Sequence, residues 1–244
     1  MIQNTKGIIL RSVKYGETSL ILTVFTEVFG LQSYMIKGVR SEKIRSKRAG
    51  LLQVASLLDF VVEHKPNRQL QHIREFQPTF LYQSLQEEIF KNSIAIYSVE
   101  LLTRLLPAEE IMEDLFHFVY QYFCNLDKAN IHTIANYPIF FTIHCGKFFG
   151  YNVLGNYSEQ TPYLNAEEGI FSTQPPPTGA SLYKEDVMAI AELIEISDVE
   201  QLIEISLNSN ARNRILDWYI QFLQHHTQHL SNLRSLDIVR AILH

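Results

Sequence analysis

Cysteine is nearly missing from this chain: Cys124 and Cys145 are the two that occur in 244 residues. Two cysteines make no disulfide framework, so a packed core must hold the fold, and a cytoplasmic setting is expected. Long apolar runs are missing as well. The richest, "PIFFTI", is broken by polar residues within a turn or two, far short of the roughly 18 residues a membrane helix needs. The first residues, "MIQNTKGIIL", lack a basic start followed by a long apolar stretch, so no secretory leader is expected. The signature loops of several enzyme classes are also absent. There is no GxxxxGK[ST] phosphate loop and no GxSxG elbow, and "GYNVLGNY" does not fit GxGxxG. An enzyme is therefore not expected.

Few residues remain that suggest chemistry. Cys124 sits on an apolar helical face, where a buried and inert thiol is expected. His144-Cys145 has no spaced partner pair. His225, His226 and His229 form "HHTQH", and the first and last share a helix face, so zinc is geometrically allowed there. The motif holds no acidic base. An exposed polar face is the expected role, with no metal and no cofactor.

Positive charge is scarce and unevenly placed. The chain carries 21 Lys and Arg against 26 Asp and Glu, a net charge of −5. Residues 1–80 nevertheless hold 12 basic against 6 acidic residues, whereas residues 81–244 hold 9 against 20. Six of the twelve residues of "KGVRSEKIRSKR" (37–48) are basic. A basic first part points to a polyanionic partner; docking of a basic face on the acidic remainder, or chance, is the alternative. Hydrophobic residues at 46% and charged residues at 19% are ordinary for a folded protein.

The periodicity changes near residue 80. Before it, β-rich runs at 7–14, 18–27, 31–38, 53–64 and 68–76 alternate with turn signals such as Tyr15-Gly16-Glu17 and Lys65-Pro66-Asn67. Five strands in so short a span predict a small barrel. The OB type fits the count and length, although strand count does not separate it from an SH3-like barrel. After residue 80 the period is helical. Ser84 and Glu87 form a capping-box pattern ahead of Leu85, Ile89, Ile96, Val99, Leu102 and Leu106 on one face. Further helices are expected over 109–126 and 131–149, the latter capped by Asn130 and bent or restarted at Pro138. Residues 150–182, rich in Gly and Pro, read as an ordered excursion with a hairpin from "PYLN" and "GIFS". Helices resume near Lys184 and after Asp198, Asn210 and Ser231. The expected class is α+β: an OB-type barrel over 1–80 and an α-helical part over 81–244.

The basic segment follows a strand, so a loop there can meet solvent. Lys37, Arg40, Lys43, Arg45, Lys47 and Arg48 are the candidate phosphate contacts, with Arg11 and Lys14 extending the stripe. Six contacts to a single strand give a salt slope of log affinity of about −4. Tyr34 is the best stacking candidate, with Tyr15 and Phe29 behind it; barrel core is the competing role and is favoured for Phe29. A basic groove with exposed aromatics fits single-stranded nucleic acid, DNA or RNA. An RNA-binding OB protein with a helical protein-interaction part is the competing class.

The stretch from Gly7 to Val62 resembles the N-terminal region of the RecO family of bacterial DNA repair proteins. The shared landmarks are Tyr15-Gly16-Glu17, the Thr26 to Gly30 turn, and Lys37-Gly38-Val39-Arg40 with its basic loop. "PPPTG" (175–179) and "NRILDWYIQFLQHH" sit where that family has comparable features. The resemblance implies an OB domain followed by a helical domain. It implies binding of single- and double-stranded DNA, annealing of complementary strands, and help with loading RecA onto coated DNA. The implied partners are RecR, the acidic tail of single-strand-binding protein and, in one pathway, RecF. The implied setting is cytoplasmic and nucleoid-associated. For the acidic tail, Arg104, Arg212 and Arg214 are the candidate anchors. Many members carry a four-cysteine zinc module in the excursion; here 150–182 has no cysteine, so Tyr163, Leu164, Ile170 and Phe171 are expected to hold it instead.

Overall fold

The structure is a computed structural model that describes residues 1–40, 49–66, 68–108, 110–131, 133–176, 182–228, 230 and 232–242. In chain order the elements are β1 (Ile2–Tyr15), β2 (Ser19–Thr26), β3 (Gly30–Ile36), β4 (Leu57–Glu63), β5 (Leu70–Pro78), α1 (Ile89–Leu105), α2 (Glu113–Lys128), α3 (Tyr137–Phe148), β6 (Tyr163–Asn165), β7 (Ile170–Ser172), α4 (Lys184–Glu195), α5 (Ser209–His226) and α6 (Arg234–Ile242). Short 3₁₀ turns cover Ala49–Leu51, Ile134–Asn136 and Val199–Glu204.

Strands β1 to β5 close into a barrel in the order β1-β2-β3-β5-β4, with β4 returning to β1. This is the OB-type order, and it resolves the choice that strand count leaves open. Alternation drives the closure: Leu20, Leu22 and Val24 of β2 point inward to meet Tyr34, Phe60 and Val62. The seam between β3 and β5 is the one parallel junction, and it is short, running from Ser33 opposite Leu70 to Met35 opposite His72.

The chain divides into two compact units, and the division departs from the expected cut at residue 80. Residues 1–84 group with 106–127, and residues 85–105 group with 128–244. Helix α2 therefore belongs with the barrel. Its Phe116 meets Phe25 edge-on at 5.6 Å, and Ala108 bridges to Leu31. Its buried Asp127 accepts the backbone N–H groups of Gln83 (3.0 Å) and Ser84 (2.9 Å). Ser84 is thus held by Asp127 and does not cap α1, which begins only at Ile89. The same unit explains Gly30. At φ +63° it turns the chain, the Thr26 hydroxyl donates to its carbonyl (2.8 Å), and an added Cβ would lie 2.1 Å from the Glu110 carbonyl oxygen. Gly30→Ala is expected to cost about 2–4 kcal/mol, read as an earlier urea midpoint.

The second unit is helical. The stripe expected on α1 fails at Ile89 and Ile96, which are 67% and 44% exposed, while Ile94, Tyr97, Leu101 and Leu105 are buried. The helix is covered on most of its circumference, so no single stripe describes it. Pro138 starts α3 within its first turn and does not bend a longer helix. The Glu100 carboxylate caps α6, accepting the backbone N–H groups of Arg234 and Ser235. Burial opposes its ionisation, but these hydrogen bonds and the Ser235 hydroxyl outweigh it and hold the acid below the usual range. The excursion does form the expected hairpin, β6 against β7. Leu164 and Phe171 anchor it as buried side chains, Ile170 is half-buried, and Tyr163 is 38% exposed.

Candidate nucleic-acid interface

Lys37 leaves the end of β3 with its side chain in solvent, and Gly38 at φ +74° turns the chain behind it. Arg40 is then drawn to the β1–β2 turn. Its N–H donates to the Thr18 carbonyl (3.1 Å) and its guanidinium donates to the Gly16 carbonyl (3.2 Å). Lys43, Arg45, Lys47 and Arg48 lie outside the described residues.

Arg11 and Lys14 are both exposed but do not form one stripe, contrary to expectation. They are three residues apart on β1, and side chains alternate faces along a strand. Lys14 pairs with Leu20 and so with Ile36, in the row next to Lys37; Arg11 pairs with Thr23 and Ser33 in an outer row. Among the described residues none of Arg11, Lys14, Lys37 or Arg40 has an ion-pair partner.

Tyr34 is a second correction. It is 0% exposed inside the barrel, with its ring parallel to that of Phe60 at 6.4 Å. Burial pushes its hydroxyl well above the ordinary phenol range. Its place on β3 faces inward with Ile36, so it cannot stack on a base. Phe29 is packed against the core with its ring stacked on His64 at 4.3 Å, as its core role required. Tyr15, at the β1–β2 turn beside the carbonyl that holds Arg40, is 53% exposed. It is the available platform.

The structure also gathers cations that the sequence reading passed over. A hollow of about 540 Å³ opens along the β3–β5 seam, lined by Lys37, Lys65, Arg68, His72 and Arg74, with Glu63 as the one carboxylate among the described lining residues. The β4–β5 turn supplies Lys65 and Arg68. A buried Gln71 builds that turn: its carbonyl oxygen accepts the Lys65 N–H (2.9 Å), and its amide donates to the carbonyls of Lys65 and Arg68 (both 2.8 Å). Pairing of β5 with β4 skips a residue between Ile73 and Glu75, so Arg74 sits in a bulge that turns it to solvent. The missed signal is in "HKPNRQLQHIREF": Lys65 and Arg68 at the two ends of a turn, then His72 and Arg74 two residues apart on the next strand.

Glu63 partly offsets this cluster. Lys65 Nζ lies 3.1 Å from one of its oxygens and Arg74 Nη2 3.3 Å from the other. These two partners hold its carboxyl below the usual range, so the pairs persist at neutral pH. Lys37 and Arg68 have no ion pair among the described residues. Glu63→Gln is expected to tighten binding of a single strand about threefold and to steepen its salt dependence, measured by fluorescence anisotropy.

The sequence comparisons agree with this architecture. The family model described as "Recombination protein O N terminal" matches residues 1–82, and that described as "Recombination protein O C terminal" matches residues 86–237. The chain belongs to the RecO family. Relatives named "DNA repair protein RecO" include those of Azobacteroides pseudotrichonymphae, 26% identical over 242 residues, and Bacteroides fragilis, 27% identical over 243 residues; each alignment covers 99% of both chains. The relative from Christiangramia forsetii is 26% identical over 248 residues, again across 99% of both chains. RecO membership covers both halves of the chain, while the domain models meet at 82–86 and spatial packing moves α2 to the barrel side.

The candidate partner anchors separate cleanly. Arg214 is held by Asp186 through two hydrogen bonds of 2.7 and 2.9 Å, which excludes it as a free anchor. Arg104 pairs with Glu100 one turn away, at 3.9 Å. Arg212 borders a small apolar dimple formed by Pro138, Ile139, Leu216 and Val239. His229 lies outside the described residues. The His226 ring packs against Phe222 at 4.8 Å, and no group of three metal-binding side chains is found among the described residues. No described helix is long and apolar enough to cross a membrane.

Proposed function

We propose that this RecO-family chain is a DNA repair and recombination mediator. In this reading it binds single- and double-stranded DNA on its barrel, anneals complementary strands, and assists loading of RecA onto DNA coated by single-strand-binding protein, with RecR as helper. The observation that carries it is the cation-lined seam between β3 and β5, on a barrel of OB order, in a chain whose relatives bear the name DNA repair protein RecO.

No bond-making residue is required, and the reading is of a protein that is not an enzyme. Two strands repel through their phosphates. Lys37, Arg40, Lys65, Arg68 and Arg74 would neutralise part of that repulsion, and Tyr15 would hold a base by stacking. Base pairing then supplies the driving force. The helical unit, residues 85–105 and 128–244, holds 9 basic against 15 acidic residues, which disfavours DNA there.

The test is strand annealing on DNA precoated with single-strand-binding protein, with and without RecR. Faster annealing than the protein-free rate, reduced by high salt, is expected. Preference for RNA over both DNA forms, or no acceleration, overturns the reading. For the acidic tail of single-strand-binding protein the reading retains Arg212, whose guanidinium also donates to the Leu207 carbonyl. The dimple beside it encloses only about 10 Å³, so an apolar tail end would lie across it without entering. Arg212→Glu is expected to weaken binding of a tail peptide about tenfold while leaving DNA binding on the barrel unchanged, both read by anisotropy.

A further inference from the structure

The helical unit carries a second surface, of opposite chemistry. Two hollows of about 850 and 420 Å³ share Met188, Glu192 and Ile205 in their walls and so form one groove alongside α4. Glu185, Met188, Glu192 and Glu195 follow one another at three- and four-residue steps, which places them in a single row on the helix. Met188 is 40% exposed, with Ile205 on the facing wall and Glu204 beside it. The row is an apolar track edged by carboxylates.

Its charge is uncompensated from within. Among the described lining residues the single cation is Arg214, and Asp186 already neutralises it. Glu185, Glu192 and Glu204 have no ion pair among the described residues. Lys147 comes nearest, donating to the Ile194 carbonyl at 2.5 Å and lying close enough to Glu195 to feel its charge. Nucleic acid and anionic membranes are repelled by such a surface. A flexible Met between carboxylates suits an apolar ridge flanked by cations.

We infer that this groove docks a basic amphipathic segment of a protein partner, with its apolar side chains on Met188 and Ile205 and its Lys or Arg against Glu192 and Glu204. The inference is independent of the DNA reading, and its test uses no DNA.

The probe is a fluorescent helix-forming peptide of Leu and Lys, mixed with the full chain. Controls are a Lys/Ser peptide of equal charge and a Glu/Leu peptide of equal apolarity. The Lys/Leu peptide is expected to bind at least about tenfold tighter than either control. Glu192→Lys with Glu204→Lys should reverse that gain, whereas Glu113→Lys with Asp114→Lys, an equal change of net charge at exposed positions of α2 that line neither hollow, should alter affinity by less than about twofold. Met188→Ser, at an exposed position, should weaken the Lys/Leu peptide and leave the melting curve unchanged; it keeps the test decisive if the double variant misfolds. Equal binding of the Lys/Ser peptide, or equal losses from both double variants, overturns the inference. So does concentration-dependent self-association by sedimentation that the groove variants abolish, since the occupant would then be a second copy of the chain.

Discussion

Exchanging Lys37, Lys65, Arg68 and Arg74 together for Glu is expected to lower affinity for a single DNA strand by about a hundredfold at moderate salt. The argument is one of counting phosphate contacts. Each of the four side chains borders the same hollow, and each neutralised phosphate releases about 0.7 of a condensed counterion on a single strand. Four contacts therefore supply a salt slope of about −3, equivalent to about a fiftyfold change in affinity between 50 and 200 mM salt. Reversal removes that contribution and adds repulsion. All four are solvent-facing, and two are paired only with Glu63, so the barrel should keep its stability. Single exchanges should each flatten the salt slope by about 0.7, with Lys37 and Arg68 giving the larger losses because no carboxylate among the described residues pairs with them. An unchanged slope in the fourfold variant, with the melting curve intact, would remove the seam from the interface.

That prediction falls on residues the sequence half reveals. The five alternating runs are a property of period and survive in the structure, whereas the charge imbalance between 1–80 and 81–244 narrows once residues 106–127, with five acidic and no basic residues, join the barrel unit. The strand ends beside Gly16, Gly30 and Pro66 hold to within about two residues, because turn chemistry is local, whereas β1 starts at Ile2 and β4 at Leu57, away from the expected 7 and 53. What fails is what depends on closure. Tyr34 sits between half-buried Ser33 and Met35 on β3, and closing the barrel turns it inward against Phe60. Lys65 and Arg74 are far from Lys37 along the chain, and only the parallel β3–β5 contact brings them to one hollow. The bulge at Arg74 has no signature in period-2 reading, since it is an interruption of that period. Helix α2 looks like its helical neighbours in sequence; its place beside Phe25 and Gly30 is decided by packing. Cation identity is thus legible, whereas cation convergence is not.

Arg214→Ala is expected to destabilise the helical unit by about 3 kcal/mol, lowering its melting temperature by about 8 °C. The cause lies in Asp186, whose carboxylate is 1% exposed. It accepts two hydrogen bonds from Arg214 and one from the Tyr183 N–H (2.9 Å), where it also closes the cap of α4. Removing the guanidinium leaves a buried anion with one donor among the described residues, the Tyr183 N–H, which costs more than the pair itself contributes. Arg214 also lies 4.5 Å from the centre of the Tyr183 ring, so the substitution loses that contact too. Lysine at this position keeps the charge but not the fork, and should recover about half of the loss. Adding Asp186→Asn to Arg214→Ala should recover part as well, because a neutral amide still accepts the Tyr183 N–H without carrying a buried charge. Urea unfolding of the four proteins measures this coupling directly. DNA affinity should be the same in all of them, and a parallel loss of DNA binding would show that Arg214 does more than hold Asp186.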